Sequence, residues 1–216
     1  MRTVVFGASG GCGGWVVKNA LERGHEVTAA VRPASAGGLP EGAAVATGSA
    51  LDPDFVAGLV AEHQIVISCL GLRRASLLPW SKLLSPPDLV QTFTDHLVAA
   101  VAESKVRRVL WISAGGVAES YGQAAPVIRT MIQAGHVATA YADLAAAESR
   151  VPGDDPRWLT VRPVTLAGGS TTGRAGPVER YGLLSRVRRS DVAAWMLDVA
   201  EGRVVHKKRT VLLGTP

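Results

Sequence analysis

The sequence is poor in cysteine and in aromatic residues, and it contains no long apolar run. Its two cysteines, Cys12 and Cys69, are too few for a disulfide framework and stand in no metal-ligand spacing, so neither a stapled secreted scaffold nor a metal centre is expected. No stretch reaches the roughly 18 apolar residues that span a bilayer, because residues 55–72 are broken by Glu62, His63 and Gln64. The chain starts with one arginine, a short strand-like run and glycines rather than a signal peptide, and the expected location is cytoplasmic. Aromatics make up only 5% of the residues, and none interrupts the basic clusters Arg186-Val187-Arg188-Arg189 and His206-Lys207-Lys208-Arg209. With no recognition-helix motif either, nucleic acid is not an expected partner. The formal net charge of +5 is better matched to an anionic small molecule. The expected partners are thus a small-molecule substrate and neither nucleic acid nor membrane, with the chain a monomer or a small homo-oligomer.

A composition of 47% hydrophobic and 19% charged residues over 216 positions fits a single folded α/β domain spanning 1–216. Short β-branched runs alternate with longer helical patterns. Strands are expected at Thr3–Phe6, Glu26–Val31, Val45–Gly48, Ile65–Cys69, Val109–Ser113, Trp158–Val161 and Thr210–Leu213. Helices are expected at Gly13–Arg23, Pro53–Glu62, Asp88–Ser104, Gln133–Arg150 and Ser190–Glu201, the last capped by Ser190. Leu89, Phe93, Leu97 and Val101 form one apolar stripe, as a sheet-covering helix requires. Alternation of this kind implies right-handed crossovers and a doubly wound, mostly parallel sheet with helices on both faces, of the Rossmann type. Residues 70–87 and 163–189 fit it poorly. Both follow strands, where open α/β sheets bind ligands, and both are candidate lids.

Five glycines fall within the eight positions from Gly7 to Gly14, directly after the first strand. Glycine weakens regular structure, so such a cluster marks backbone that turns sharply or lets another group come close. The spacing Gly7-x-x-Gly10-x-x-Gly13 follows a strand and opens a helix, the context in which a dinucleotide pyrophosphate rests on a helix N-terminus. Gly7, Ser9, Gly10, Gly11, Cys12 and Gly13 are therefore candidate cofactor-binding residues. The second strand ends Val31-Arg32-Pro33 with no acid to accept the ribose hydroxyls of NAD(H). Arg32 suits a 2′-phosphate instead, which favours NADP(H) over NAD(H).

These residues resemble the short-chain dehydrogenase/reductase superfamily, and more closely its atypical branch of NmrA-like and biliverdin-IXβ reductase-like proteins. The resemblance rests on Gly7 to Gly13, Val31-Arg32, Asp52, Cys69-Leu70-Gly71, Val109 to Ser113, Glu148, Leu159 to Pro163 and Ser190 to Ala193, spread over nearly the whole chain. It implies that Asp52, Cys69, Leu70, Gly71, Ser113 and Pro163 border the cofactor, with the nicotinamide near the ends of the fourth and fifth strands. In standard members a Tyr-x-x-x-Lys pair and a serine carry catalysis. Here Tyr141 is followed four positions later by Ala145, so no ammonium lowers the phenol pKa from about 10.

The candidate catalytic residues are Ser113, Tyr141 and His136. Ser113 can hydrogen-bond a carbonyl or satisfy the turn at Ala114-Gly115-Gly116. Tyr141 can serve as proton donor or as a packing residue. His136 can act as an acid, but lies two turns from Asp143 on the same helical face. Cys12 is expected to be covered by cofactor rather than nucleophilic, and Glu148 with Arg162 reads as a structural ion pair. The expected function is an NADPH-dependent reductase acting on a conjugated acceptor such as a quinone, flavin, tetrapyrrole or polyketide-like ring. Two alternatives stand beside it: an NADP(H)-binding redox sensor without turnover, and an isomerase, cyclase or dehydratase on the same fold.

Overall fold

The computed structural model describes residues 1–76, 78 and 80–216, so positions 77 and 79 of the first candidate lid lie outside the described residues. In chain order the elements begin with β1 (Arg2–Phe6), α1 (Gly11–Glu22), β2 (Glu26–Val31), β3 (Ala44–Thr47), α2 (Pro53–Glu62), β4 (Ile65–Ser68), α3 (Leu89–Ala102) and β5 (Arg108–Ile112). They continue with α4 (Pro126–Ile132), α5 (Gly135–Glu148), β6 (Trp158–Pro163), β7 (Thr165–Ala167), β8 (Gly176–Pro177), β9 (Arg186–Arg188), α6 (Arg189–Ala200) and β10 (Thr210–Gly214).

Eight strands form one sheet in the order β3-β2-β1-β4-β5-β6-β10-β8, parallel throughout except for β8. The central strands are apolar on both faces because both are covered. Val5, Ile67, Leu110 and Val161 pack with Val16, Val192 and Met196 of α1 and α6. Val4, Phe6, Val66 and Val109 pack with Val56, Phe93, Leu97 and Val101 of α2 and α3. The chain winds outward from β1 through β2 to β3, and then from β4 in the opposite direction. That reversal opens a crevice at the carboxyl ends of β1 and β4.

The doubly wound parallel sheet agrees with the expected fold, while two helix starts differ for local reasons. The helix expected over 133–150 corresponds to α5 alone, which starts at Gly135, where a left-handed φ of +51° separates it from α4 over 126–132. Ser190 is not the cap of α6: the helix starts at Arg189, and the Ser190 hydroxyl donates instead to the Gly169 carbonyl at 2.9 Å. The start of α3 is capped from another element: Asp143, on α5, supplies the carboxylate, and the Asp88 side chain makes no cap.

The two irregular segments have structure of their own. In the first, Ala75 N–H donates to Lys82 O at 2.9 Å and Leu84 N–H to Arg73 O at 2.8 Å, an antiparallel pairing of residues 73–75 with 82–84. The second carries β7 and β9, which pair in parallel outside the main sheet. The Asp191 carboxylate holds it down, accepting the N–H groups of Thr172 and Gly173 at 2.6 and 2.9 Å and the Thr172 hydroxyl at 2.7 Å.

Candidate functional site

The glycine turn closes the crevice from below. Gly7 has a left-handed φ of +75°, and a Cβ there would stand 2.9 Å from the Cys69 carbonyl carbon and oxygen. Gly10 N–H donates to Gly7 O at 2.9 Å, which folds the turn back on itself. A Cβ on Gly13 would lie 2.1 Å from Gly7 O, so α1 approaches the turn only because that position is glycine. The first turn of α1 holds no acidic residue, and Gly10 supplies no side-chain cap, leaving the positive helix end open to an anion. This cradle fits a dinucleotide pyrophosphate.

The other candidate cofactor residues lie on several elements. Ser9 is exposed within the turn. Cys12 is 9% exposed, and burial pushes its thiol up to about 11, which leaves it protonated and unreactive at neutral pH. Burial raises the Cys69 thiol as well; its N–H donates to Phe6 O at 2.9 Å, so Cys69, Leu70 and Gly71 run along the lip of the crevice. Arg32 is exposed where β2 ends, on the same edge of the sheet as the turn, and its carbonyl accepts Ser35 N–H at 2.8 Å. Asp52 Oδ1 accepts the N–H groups of Asp54 and Phe55 at 3.0 and 3.4 Å, so that oxygen is committed to capping α2.

Three hydroxyl side chains lie on or against the turn that follows β5. Ser113 N–H donates to Val161 O at 2.8 Å, while its own Oγ is buried without a partner among the described residues. Gly115 N–H donates to Pro163 O at 2.8 Å, joining this turn to the end of β6. The Tyr141 hydroxyl donates to Gly115 O at 3.1 Å. The third is Tyr181, which sequence reasoning did not single out. A Cβ on Gly116 would stand 2.8 Å from the Tyr181 hydroxyl and 3.2 Å from the Tyr141 ring, so both tyrosines press against this glycine, whose φ is +99°. Tyr181 is 6% exposed, and its hydroxyl is also buried without a partner among the described residues. It is delivered by the second irregular segment, where Tyr181 N–H donates to Gln123 O and Ala125 N–H to Tyr181 O. The only signal in the sequence is a tyrosine in a glycine-flanked loop, too little to find it. Burial raises both phenols above the ordinary tyrosine value.

His136 is placed differently from this group. Its Nδ1 donates to the Ser81 carbonyl at 2.8 Å, tying the start of α5 to the first irregular segment. The expected pairing of Arg162 with Glu148 is present, with Nε donating to Oε1 at 3.0 Å, and Glu119 joins it at 2.7 Å. Arg162 is 4% exposed, and the cluster joins β6 to α5 beside a cavity of about 320 Å³. Among the described residues no three His, Cys, Asp or Glu side chains form a metal-binding group, and no helix is long and apolar enough to cross a membrane.

The fold is shared with several solved structures of low sequence identity. The anaerobilin reductase ChuY from Escherichia coli O157:H7 aligns with a TM-score of 0.78 at 22% identity, covering 100% of this chain and 98% of that one. A short-chain dehydrogenase/reductase from Veillonella parvula, solved in complex with NADP, aligns with a TM-score of 0.72 at 16% identity, covering 100% and 94%. A Streptococcus pneumoniae protein provisionally assigned as an NADH-flavin reductase aligns with a TM-score of 0.74 at 19% identity, covering 100% of both chains. A sequence comparison with curated proteins finds no match. The model of the NAD(P)H-binding family matches residues 7–202, from the first glycine of the turn to the end of α6. The match begins at the first glycine of the turn, and the chain belongs to the NAD(P)H-binding family.

Proposed function

We propose that the protein is an NADPH-dependent reductase that passes hydride to a conjugated small-molecule acceptor, of the kind represented by quinones, flavins, tetrapyrroles and polyketide-like rings. The observation that carries this reading is the pair of buried, unpartnered hydroxyls on Ser113 and Tyr181, close to the carboxyl end of β5. A buried polar group without a partner costs about 1–3 kcal/mol, and a site retains such groups where a ligand completes them. The bound cofactor supplies hydride; the chain supplies position and hydrogen bonds.

Hydride arriving at a conjugated acceptor leaves negative charge on its heteroatom. Ser113 and Tyr181 can donate to that atom, and Tyr141 can do so by releasing Gly115 O. Because burial raises both phenols, they serve better as neutral donors than as proton donors, and the proton comes from water. This suits an electron-poor conjugated ring better than an isolated ketone, which requires an acid at the oxygen. The reductase names of ChuY and the Streptococcus pneumoniae relative support the reaction class. Arg32, on the rim beside the turn, supports NADPH as the preferred form.

A second reading, a redox sensor that binds NADP(H) without turnover, is favoured by Ala145 standing where a catalytic lysine would be. The two readings separate when purified protein is mixed with NADPH and FMN, menadione or biliverdin and the reduced-nicotinamide absorbance is followed. Steady loss with any acceptor supports the reductase. Tight NADPH binding with no loss across the panel overturns it in favour of the sensor.

A further inference from the structure

The N-termini of α1 and α6 lie side by side, and Arg189, the first residue of α6, reaches across to the first residue of α1. A Cβ on Gly11 would stand 2.9 Å from Arg189 Cδ and 3.0 Å from its Nε. Gly11 is not one of the three glycines at 7, 10 and 13 that shape the turn, and its φ is not left-handed. Its missing side chain makes room for the arginine. Arg189 is only half-buried, and among the described residues it enters no ion pair, unlike Arg23, Arg157, Arg162 and Arg203. A guanidinium therefore rests against the positive end of a 12-residue helix with no salt-bridge partner among the described residues. Two positive features in contact repel unless an anion lies between them.

We infer that Arg189 is a second cofactor-binding arginine, gripping the dinucleotide pyrophosphate from the α6 side while the first turn of α1 holds it from below. The inference rests on the cofactor site and not on turnover. Its guanidinium fork suits phosphate oxygens, and the stem lying across Gly11 restricts the head to the mouth of the turn. The next two residues extend the consequence. Ser190 and Asp191 hold the backbone of Gly169, Thr172 and Gly173, so the arginine that grips the cofactor begins the same turn that anchors the segment delivering Tyr181.

The pyrophosphate is common to NADPH, NADH and ADP-ribose, whereas the 2′-phosphate is not. Titrations of all three, read by calorimetry over a range of salt concentrations, should show Arg189→Ala weakening each by a similar factor of about 10 to 100, with a shallower salt dependence. Arg189→Met keeps the stem over Gly11 and should show the same loss, while Arg189→Lys should recover part of it. Circular dichroism and the melting temperature of the Met variant separate this loss from unfolding. Wild-type affinity for all three ligands in a folded Arg189→Met protein overturns the assignment, as does a loss confined to NADPH, which would place the arginine on the 2′-phosphate. Failure to reduce any acceptor would defeat the reductase reading and leave these binding results standing.

Discussion

Asp143 caps a helix to which it does not belong: from α5, its Oδ2 accepts the Val90 N–H of α3 at 3.0 Å, and its Oδ1 accepts the Gln91 N–H at 2.9 Å. The pair locks α5, which carries Tyr141, against α3 and hence against the sheet. Asp143→Ala should cost about 1–2 kcal/mol, since it removes a cap and leaves the buried Val90 N–H unpaired. Chemical denaturation measures this directly, and an unchanged midpoint would show that water replaces the carboxylate.

The same residue makes a pH prediction. Burial raises the Asp143 carboxyl above its ordinary value of 3.8, against the downward pull of the Gln91 and Val90 N–H groups. A carboxyl raised on folding binds its proton more tightly in the native state, so its contribution falls as pH rises from the unfolded value through the folded one. The stability of wild type relative to Asp143→Asn should therefore shrink across the window just above pH 4. A difference that grows there would mean that the two N–H donors outweigh burial.

Adjacent glycines should behave oppositely. Gly13→Ala places a Cβ 2.1 Å from Gly7 O, forcing α1 away from the turn. It should cost about 1–3 kcal/mol, the usual range for overpacking, and weaken NADPH binding. Gly14→Ala meets nothing closer than Ala8 O at 3.6 Å and removes a glycine from a helix, so it should be neutral or stabilise by about 0.5–1 kcal/mol. Melting temperatures and cofactor titrations of the two variants test the contrast.

The two tyrosines should not be equivalent. Tyr141 already donates to Gly115 O, whereas the Tyr181 hydroxyl has no partner among the described residues. Tyr181→Phe should lower kcat about 100- to 1000-fold, the range for loss of one donor to developing charge, with NADPH affinity little changed. Tyr141→Phe should lose less. Steady-state kinetics with an accepted substrate decide it, and a larger loss for Tyr141→Phe would transfer the donor role to Tyr141.

Arg32 should set cofactor choice. A charge-assisted hydrogen bond contributes about 1.5–3 kcal/mol, so NADPH should bind roughly 10- to 100-fold more tightly than NADH. Arg32→Ala should erase most of that difference while leaving NADH nearly unchanged, in contrast with the equal losses expected at Arg189. Equal wild-type affinities for the two cofactors would remove Arg32 from this role.

By itself the sequence determined what depends on neighbours along the chain. The glycine spacing after a strand and before a helix requires a close backbone turn, and the alternation of β-branched runs with amphipathic stretches requires a sheet covered on both faces. Both are short-range patterns, and both specify the doubly wound fold and its dinucleotide cradle. The pairing of Glu148 with Arg162 was legible for a related reason, since a charge ending a helix and another entering the next buried strand have few other partners. Tertiary structure alone decided what fills the rest of the site. Tyr181 reaches Gly116 only because the Gln123 and Ala125 backbone receives its loop, Asp143 finds its donors on a helix 52 and 53 residues away, and Arg189 meets Gly11 only where two helix ends converge. In each case a buried polar or charged group takes the partner that the fold brings within hydrogen-bonding or packing distance, and that distance is a property of the assembled layers rather than of any local run of residues.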